Sequence, residues 1–193
     1  ETLFRRVAAV WERREACDLD DEQSRVLERY HTRFLRAGAG RDAAGKKRLA
    51  EITERLATLG TLFSQNVLAD EKAYMLVLDG EDDLAGLPGF LRSAAAQAAE
   101  DRGLKGKHVI TLSRSSIEPF LQFSTRRDLR EKAFQAWIGR GENEGANDNR
   151  SFIDETIALR AERARLLGYE NFADFQLADT MAKTPGAARE LLE

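Results

Sequence analysis

The sequence predicts a mainly α fold of antiparallel helical hairpins or a bundle, with a small two-stranded β ribbon in the middle. Three observations carry that expectation. Ala, Leu, Glu and Arg are abundant while only 3 Pro occur in 193 residues, and those four residue types are strong helix formers. Apolar residues recur at three- and four-residue spacing along most of the chain, the period of one helix face. Two short apolar runs, Tyr74–Leu78 and Lys107–Leu112, break that period and read as strands.

In order, the first helix places Leu3, Phe4, Val7, Val10 and Trp11 on one face. Asp20 or Asp21 can cap a second helix with the stripe Val26, Leu27, Tyr30 and Phe34, which stops at Ala37-Gly38-Ala39-Gly40. The third and longest runs from about Asp42 to Ala69 on Leu49, Ile52, Leu56, Leu59 and Phe63. Gly60 interrupts it at a cost of ~1 kcal/mol relative to Ala unless it admits close packing, which points to a helical-hairpin interface. The stripe is too short for a coiled coil.

Asp79-Gly80 ends the first strand. Pro88 fits the first position of a short Ala-rich helix closed by Gly103. Two strands form no stable sheet alone, so the ribbon must rest on helices. Its pairing sense stays open, because the intervening helix could serve a parallel crossover.

Helices resume after Pro119. Thr125 with Asp128 resembles a capping box, Asp replacing Glu, and Leu129, Ala133, Ala136 and Trp137 line the following face. After a polar loop from Glu142 to Asn147, Asp148 is expected to cap a helix bearing Ile153, Ile157, Ala164 and Leu167, with Gly168 just past its end. Asn171 and Asp174 open another, bearing Phe172, Phe175 and Met181. Thr184-Pro185 starts a last helix, whose stripe of Ala188, Leu191 and Leu192 is expected to continue past Glu193. The chain thus reads as one helical fragment in three stretches: hairpins over 1–70, a β-containing insert over 71–113, and a helical segment over 114–193 cut at its last helix.

Composition excludes several functions. With 30 Lys plus Arg against 33 Asp plus Glu, the chain lacks the basic excess of a dedicated nucleic-acid binder. No apolar run approaches the ~20 residues that span a bilayer. A lone Cys17 rules out an internal disulfide framework and fits a reducing, cytoplasmic setting. Cys17, His31 and His108 are the only soft metal-ligand candidates and lie far apart, so no zinc site is expected from this chain alone.

The local motifs have plain structural readings. Gly40 to Lys46 matches Gly-x4-Gly-Lys, but Lys47 stands where a Ser or Thr should hold magnesium and no strand precedes it. Asp18 to Glu22 lacks the Gly and Glu of a calcium loop and suits a helix start. Neither His31 nor His108 lies in a hydrolase motif, and Cys17 has no activating neighbour in sequence. Arg126, Arg127 and Arg130, near Lys132, open a helix against its dipole, which points to a specific partner, with a nearby carboxylate as the plainer reading. Asn149-Arg150-Ser151 matches a glycosylation acceptor with no secretory signal before it. No catalytic, cofactor-binding or metal residue can be assigned.

A longer-range pattern is more specific. Leu62-Phe63-Ser64-Gln65-Asn66-Val67-Leu68, Leu84-Ala85-Gly86-Leu87-Pro88 and Arg126-Arg127-Asp128-Leu129-Arg130-Glu131 follow one another along the chain. Then come Asn147-Asp148-Asn149, Leu159-Arg160-Ala161-Glu162-Arg163-Ala164, Leu166-Leu167-Gly168-Tyr169-Glu170-Asn171-Phe172-Ala173 and Met181-Ala182-Lys183-Thr184-Pro185. In that order they resemble the thimet-oligopeptidase family of zinc metallopeptidases, with the bacterial peptidyl-dipeptidase branch nearest and oligopeptidase A next.

The resemblance implies a helical enzyme whose two halves flank a deep channel for short peptides. Zinc would be held by the two His of a His-Glu-x-x-His helix and a later Glu, the motif's Glu activating the metal-bound water. This sequence contains no such motif. The resemblance therefore implies a non-catalytic N-terminal part that shapes one channel wall and is inactive when isolated. Zinc is implied for the full-length parent, and the implied partners are short peptides through that parent and the missing catalytic half. Self-association of the fragment through uncovered apolar faces is a further expectation. The competing expectation is a stand-alone helical interaction module derived from the same fold.

Overall fold

A computed structural model describes residues 2–193. Its helices are α1 (Thr2–Glu12), α2 (Asp21–Arg36), α3 (Ala43–Ala73), α4 (Gly89–Glu100), α5 (Arg114–Phe123), α6 (Arg127–Ile138), α7 (Arg150–Leu166), α8 (Phe172–Leu177) and α9 (Pro185–Leu192). The strands are β1 (Leu76–Leu78) and β2 (His108–Ile110). The chain divides into two compact units: residues up to Thr58 with Asp154–Glu193, and Leu59–Ile153.

In the first unit, α1 and α2 pair through aromatic rings. Trp11 stacks on His31 at 4.7 Å, and Phe4 meets Phe34 at 5.9 Å. The Asp20 side chain accepts from Gln23 N at 2.7 Å while Gln23 accepts from Asp20 N, so the cap is a reciprocal box. Gly38, at φ +87°, closes α2, and the Ala39 N–H donates back to the Phe34 carbonyl. Gly168 closes α7 in the same way at φ +90°. A small core joins Leu49, Ala164, Leu167 and Phe175. Beside it α3 and α7 run antiparallel, and Arg48 and Arg55 grip Glu162 and Glu155 through two bonds each. Asn171 and Thr184 cap α8 and α9 as their sequence spacing predicts.

The second unit holds the ribbon. β1 and β2 are antiparallel, with Leu76 opposite Ile110 and Leu78 opposite His108, which resolves the pairing sense left open by sequence. Each strand is three residues long, shorter than the apolar runs suggest. Leu78 and Ile110 enter a core with Leu84, Leu87, Leu91, Leu112, Ile117, Phe120, Leu129 and Ala133. The ribbon therefore does rest on helices.

Several local expectations are corrected. Pro88 is the cap residue and α4 begins at Gly89. Pro119 lies inside α5: Ile117 and Phe120 beside it are fully buried, and their burial outweighs the one hydrogen bond the ring removes. Thr125 does not cap α6. Its N–H and hydroxyl both donate to the Ala85 carbonyl, at 3.0 and 3.2 Å, binding the turn at Gly86 to the end of α5. Asp148 sits one residue before the α7 cap position and accepts from Arg150 N at 2.8 Å. Met181 lies beyond α8 and is fully exposed. A Cβ at Gly60 would meet nothing within 4 Å, so this glycine serves no close approach.

Candidate functional site

The most elaborated polar site of the described residues lies in the second unit, where the last turns of α3 meet the 139–149 loop. Asp70 projects from α3, and one carboxylate oxygen accepts from Gly141 N and Asn143 Nδ2, both at 2.7 Å. The other accepts from Asn147 Nδ2 at 3.0 Å. Burial works to raise the Asp70 carboxyl, but the Gly141, Asn147 and Asn143 donors outweigh it and hold the group below the ordinary carboxylate range. Glu71, one residue on, pairs with Arg140, whose Nε donates to the Trp137 carbonyl.

Asn149 forms the floor of this knot and is 1% exposed. Its Nδ2 donates to the Phe63 carbonyl at 3.2 Å, its Oδ1 accepts from Asn66 Nδ2 at 2.9 Å, and its N–H donates to the Gly141 carbonyl at 2.7 Å. Gly141 has φ +74°, and a Cβ there would sit 2.7 Å from Asn149 Nδ2. Only glycine allows both the left-handed backbone and the close approach. Loop amides and side-chain donors already engage both Asp70 oxygens, so the carboxylate is neither a free base nor an open ligand. The arrangement fastens the loop to α3.

The residues singled out by sequence are dispersed. His31 is stacked on Trp11, and burial first, then Arg14, lowers its pKa despite Glu12. His108 sits in β2 opposite Leu78. Cys17 is exposed after α1. Arg126 takes the plainer of its two readings, bonding the nearby carboxylates of Asp83 and Asp128. The Arg126 guanidinium pushes the Asp128 carboxyl down to about 2. Arg130 donates to the Ser124 carbonyl. Gly40 to Lys46 runs from the end of the α2–α3 connection into the first turn of α3, where Asp42 accepts from Gly45 N as a helix cap. Asn149, with its amide buried and bonded, cannot accept a glycan in the folded chain.

Open grooves lie in both units, three along the first and one in the second among the described residues. The α1–α2 groove, about 670 Å³, includes Trp11, Arg14, Asp18, Leu19, Arg25 and Leu27 among its lining residues. The groove of the second unit, about 360 Å³ along α5 and α6, is lined by Leu121, Arg127, Arg130, Glu131, Phe134 and Gln135. Neither of these two linings includes a Cys or a His. Among the described residues no group of three or more His, Cys, Asp or Glu has the geometry to hold a metal ion. The side chains present therefore do not fit a catalytic zinc. Sequence reasoning missed Asp70, Asn66, Asn143 and Gly141. The one available signal was the density of Asn between 143 and 149.

Comparison with known proteins agrees with the ordered motifs. Residues 120–193 match the profile of Peptidase family M3. Dipeptidyl carboxypeptidase of Escherichia coli is 41% identical over 186 residues, covering 96% of this chain and 27% of the relative. Oligopeptidase A of Haemophilus influenzae is 32% identical over 99% of the chain and 28% of its own length. The organellar oligopeptidase A of Arabidopsis thaliana is 31% identical over 99% of the chain and 25% of its length. The chain thus spans about a quarter of the length of the curated relatives it matches. Likeness along nearly the whole chain, together with the profile match, shows that it belongs to peptidase family M3.

Proposed function

We propose that this chain is the non-catalytic, N-terminal portion of a cytoplasmic zinc metallopeptidase that hydrolyses short peptides and releases C-terminal dipeptides. In that protein it shapes one side of the substrate channel. The observation that carries the reading is the 41% identity to a dipeptidyl carboxypeptidase, along 96% of this chain and only 27% of that relative. The chain contributes just two His, His31 and His108, and no His-Glu-x-x-His. Zinc and the general base thus belong to other residues of the longer protein, where the metal would polarise the peptide carbonyl and activate water. No helix among the described residues is long and apolar enough to cross a membrane.

The catalytic half of the same polypeptide is the principal partner, and the peptide substrate meets this chain through the assembled channel. Exposed apolar side chains such as Met181, Leu191 and Leu192 favour burial against that half or, in the isolated chain, against a second copy.

The test compares the purified chain with the longer protein. The chain alone should bind no stoichiometric zinc by elemental analysis and cleave no N-blocked short peptide, while the longer protein does both. Zinc-dependent hydrolysis by the chain alone would overturn the proposal. Analytical ultracentrifugation checks self-association, and a monomer at every concentration would sink that part.

A further inference from the structure

One modifiable position lies outside the Asp70 knot. Of all the Asp and Asn in the sequence, only Asp79 is followed by Gly. Asp79 lies just past β1, at the start of the connection to a 3-10 turn over Glu81–Leu84. Its side chain is 70% exposed and paired with Lys107 Nζ at 3.1 Å.

Gly80 is extended, at φ −152° and ψ 168°, and a Cβ built on it would meet nothing within 4 Å. Its N–H donates to no partner among the described residues. The amide nitrogen is therefore unengaged and its residue sits in open space, next to a carboxyl group one carbon from the backbone. Asp70, Asp128, Asp154 and Asp174 lie within helices, and the helical backbone holds the following nitrogen away from the side-chain carbonyl carbon. Elsewhere the following residue carries a side chain that shields the nitrogen.

We propose that Asp79 is a site of spontaneous isoaspartate formation in the folded chain. The Gly80 nitrogen attacks Cγ of Asp79. The side-chain hydroxyl leaves with the amide proton as water, closing a five-membered succinimide. Water then adds at either carbonyl. Addition at Cγ regenerates Asp79, and addition at the main-chain carbonyl leaves the backbone running through Cγ, with the former α-carboxyl as the new, shorter side chain. No oxidant or co-reactant is required. The product retracts its carboxylate from Lys107 and displaces the Asp79 N–H that donates to Asp83. Asp83 also receives Arg126, so the change is felt at the start of α6.

The experiment incubates the folded chain in warm neutral buffer and follows the tryptic peptide 73–92 by mass spectrometry. Labelled methyl transfer by an isoaspartate-specific carboxyl methyltransferase measures the product. The expected result is methyl acceptance that grows with time and maps to Asp79, with a transient species lighter by one water. Gly80→Ala, which the open surroundings of Gly80 accommodate, should abolish it. Asp79→Glu, which would need a six-membered imide, should do the same. An unmodified Asp79, equal modification in Gly80→Ala, or modification seen only after unfolding in urea would each overturn the proposal.

Discussion

Gly141 and Asn149 should be energetically coupled, and the coupling can be worked from their contact. In Gly141→Ala the new Cβ is held at φ +74° and meets Asn149 Nδ2 at 2.7 Å and its amide carbon at 3.4 Å. The left-handed backbone costs about 1 kcal/mol for a non-glycine residue, and the overlap adds about 1–2 kcal/mol. Asn149→Ala removes the bonds to Asn66 and the Phe63 carbonyl, about 1 kcal/mol each, and leaves the Asn66 amide short of a partner. In the double variant the backbone strain and the lost bonds persist, but the overlapping amide is gone. The double should thus be less destabilised than the sum of the singles by about 1–2 kcal/mol. Urea unfolding followed by Trp137 fluorescence in a Trp11→Phe background reports on the unit that holds both residues. Asn66→Ala serves as the control: Asn66 is not among the atoms nearest the built Cβ, so its pairing with Gly141→Ala should show little of this relief. Additivity of Gly141→Ala and Asn149→Ala within about 0.3 kcal/mol would refute the reasoning.

Three further outcomes follow from other residues. Gly60→Ala should stabilise the chain by roughly 0.5–1 kcal/mol, because a Cβ there meets nothing and the helix gains propensity; an unchanged or lower urea midpoint contradicts this. Asp70 has its folded pKa depressed by Gly141, Asn147 and Asn143 against the opposing effect of burial. Its contribution to stability is therefore present above the ordinary carboxylate pKa of about 4 and is lost as pH falls through the folded value. Asp70→Asn should flatten the acid limb of a stability-versus-pH curve, and a limb of unchanged slope counts against the knot. His31 has its folded pKa lowered, by burial and then by Arg14. The unfolded chain takes up that proton first, so the α1–α2 pairing should weaken as pH falls below about 6.5. Proton NMR should show His31 titrating below the free-imidazole value of about 6.5, and His31→Phe should remove that part of the pH dependence.

Sequence and structure agree where one local signal decides the outcome. Asp20, Gly38, Gly168, Asn171 and Thr184-Pro185 each fix a helix end through bonds made within a few residues, so a local signal is enough. They part where a distant contact decides. Thr125 has the spacing of a cap, but the Ala85 carbonyl, forty residues away, takes both its donors. The helices read as resuming only after Pro119, yet the buried Ile117 and Phe120 extend α5 through it. The antiparallel sense of the ribbon depends on how α4 returns the chain to β2, which no pattern in either strand encodes. The Asp70 knot is the extreme case: its partners lie over seventy residues further along the chain, and a lone Asp at a helix end looks like any solvated carboxylate. The family, in contrast, was legible from seven ordered motifs, because order along the chain survives where any single motif is ambiguous.

The two arginine grips between α3 and α7 act as a length gauge. Arg48 and Arg55 are seven residues apart, as are Glu155 and Glu162, and the pairs match in reverse order. Seven residues are close to two helical turns, so both arginines emerge on one side of α3. Inserting or deleting one residue between them would swing everything beyond it by about 100° and move it about 1.5 Å along the axis, so that only one grip could close. Changes in length should thus be admitted here in steps of about two turns, made on both helices together, while point substitutions between the grips remain free to drift.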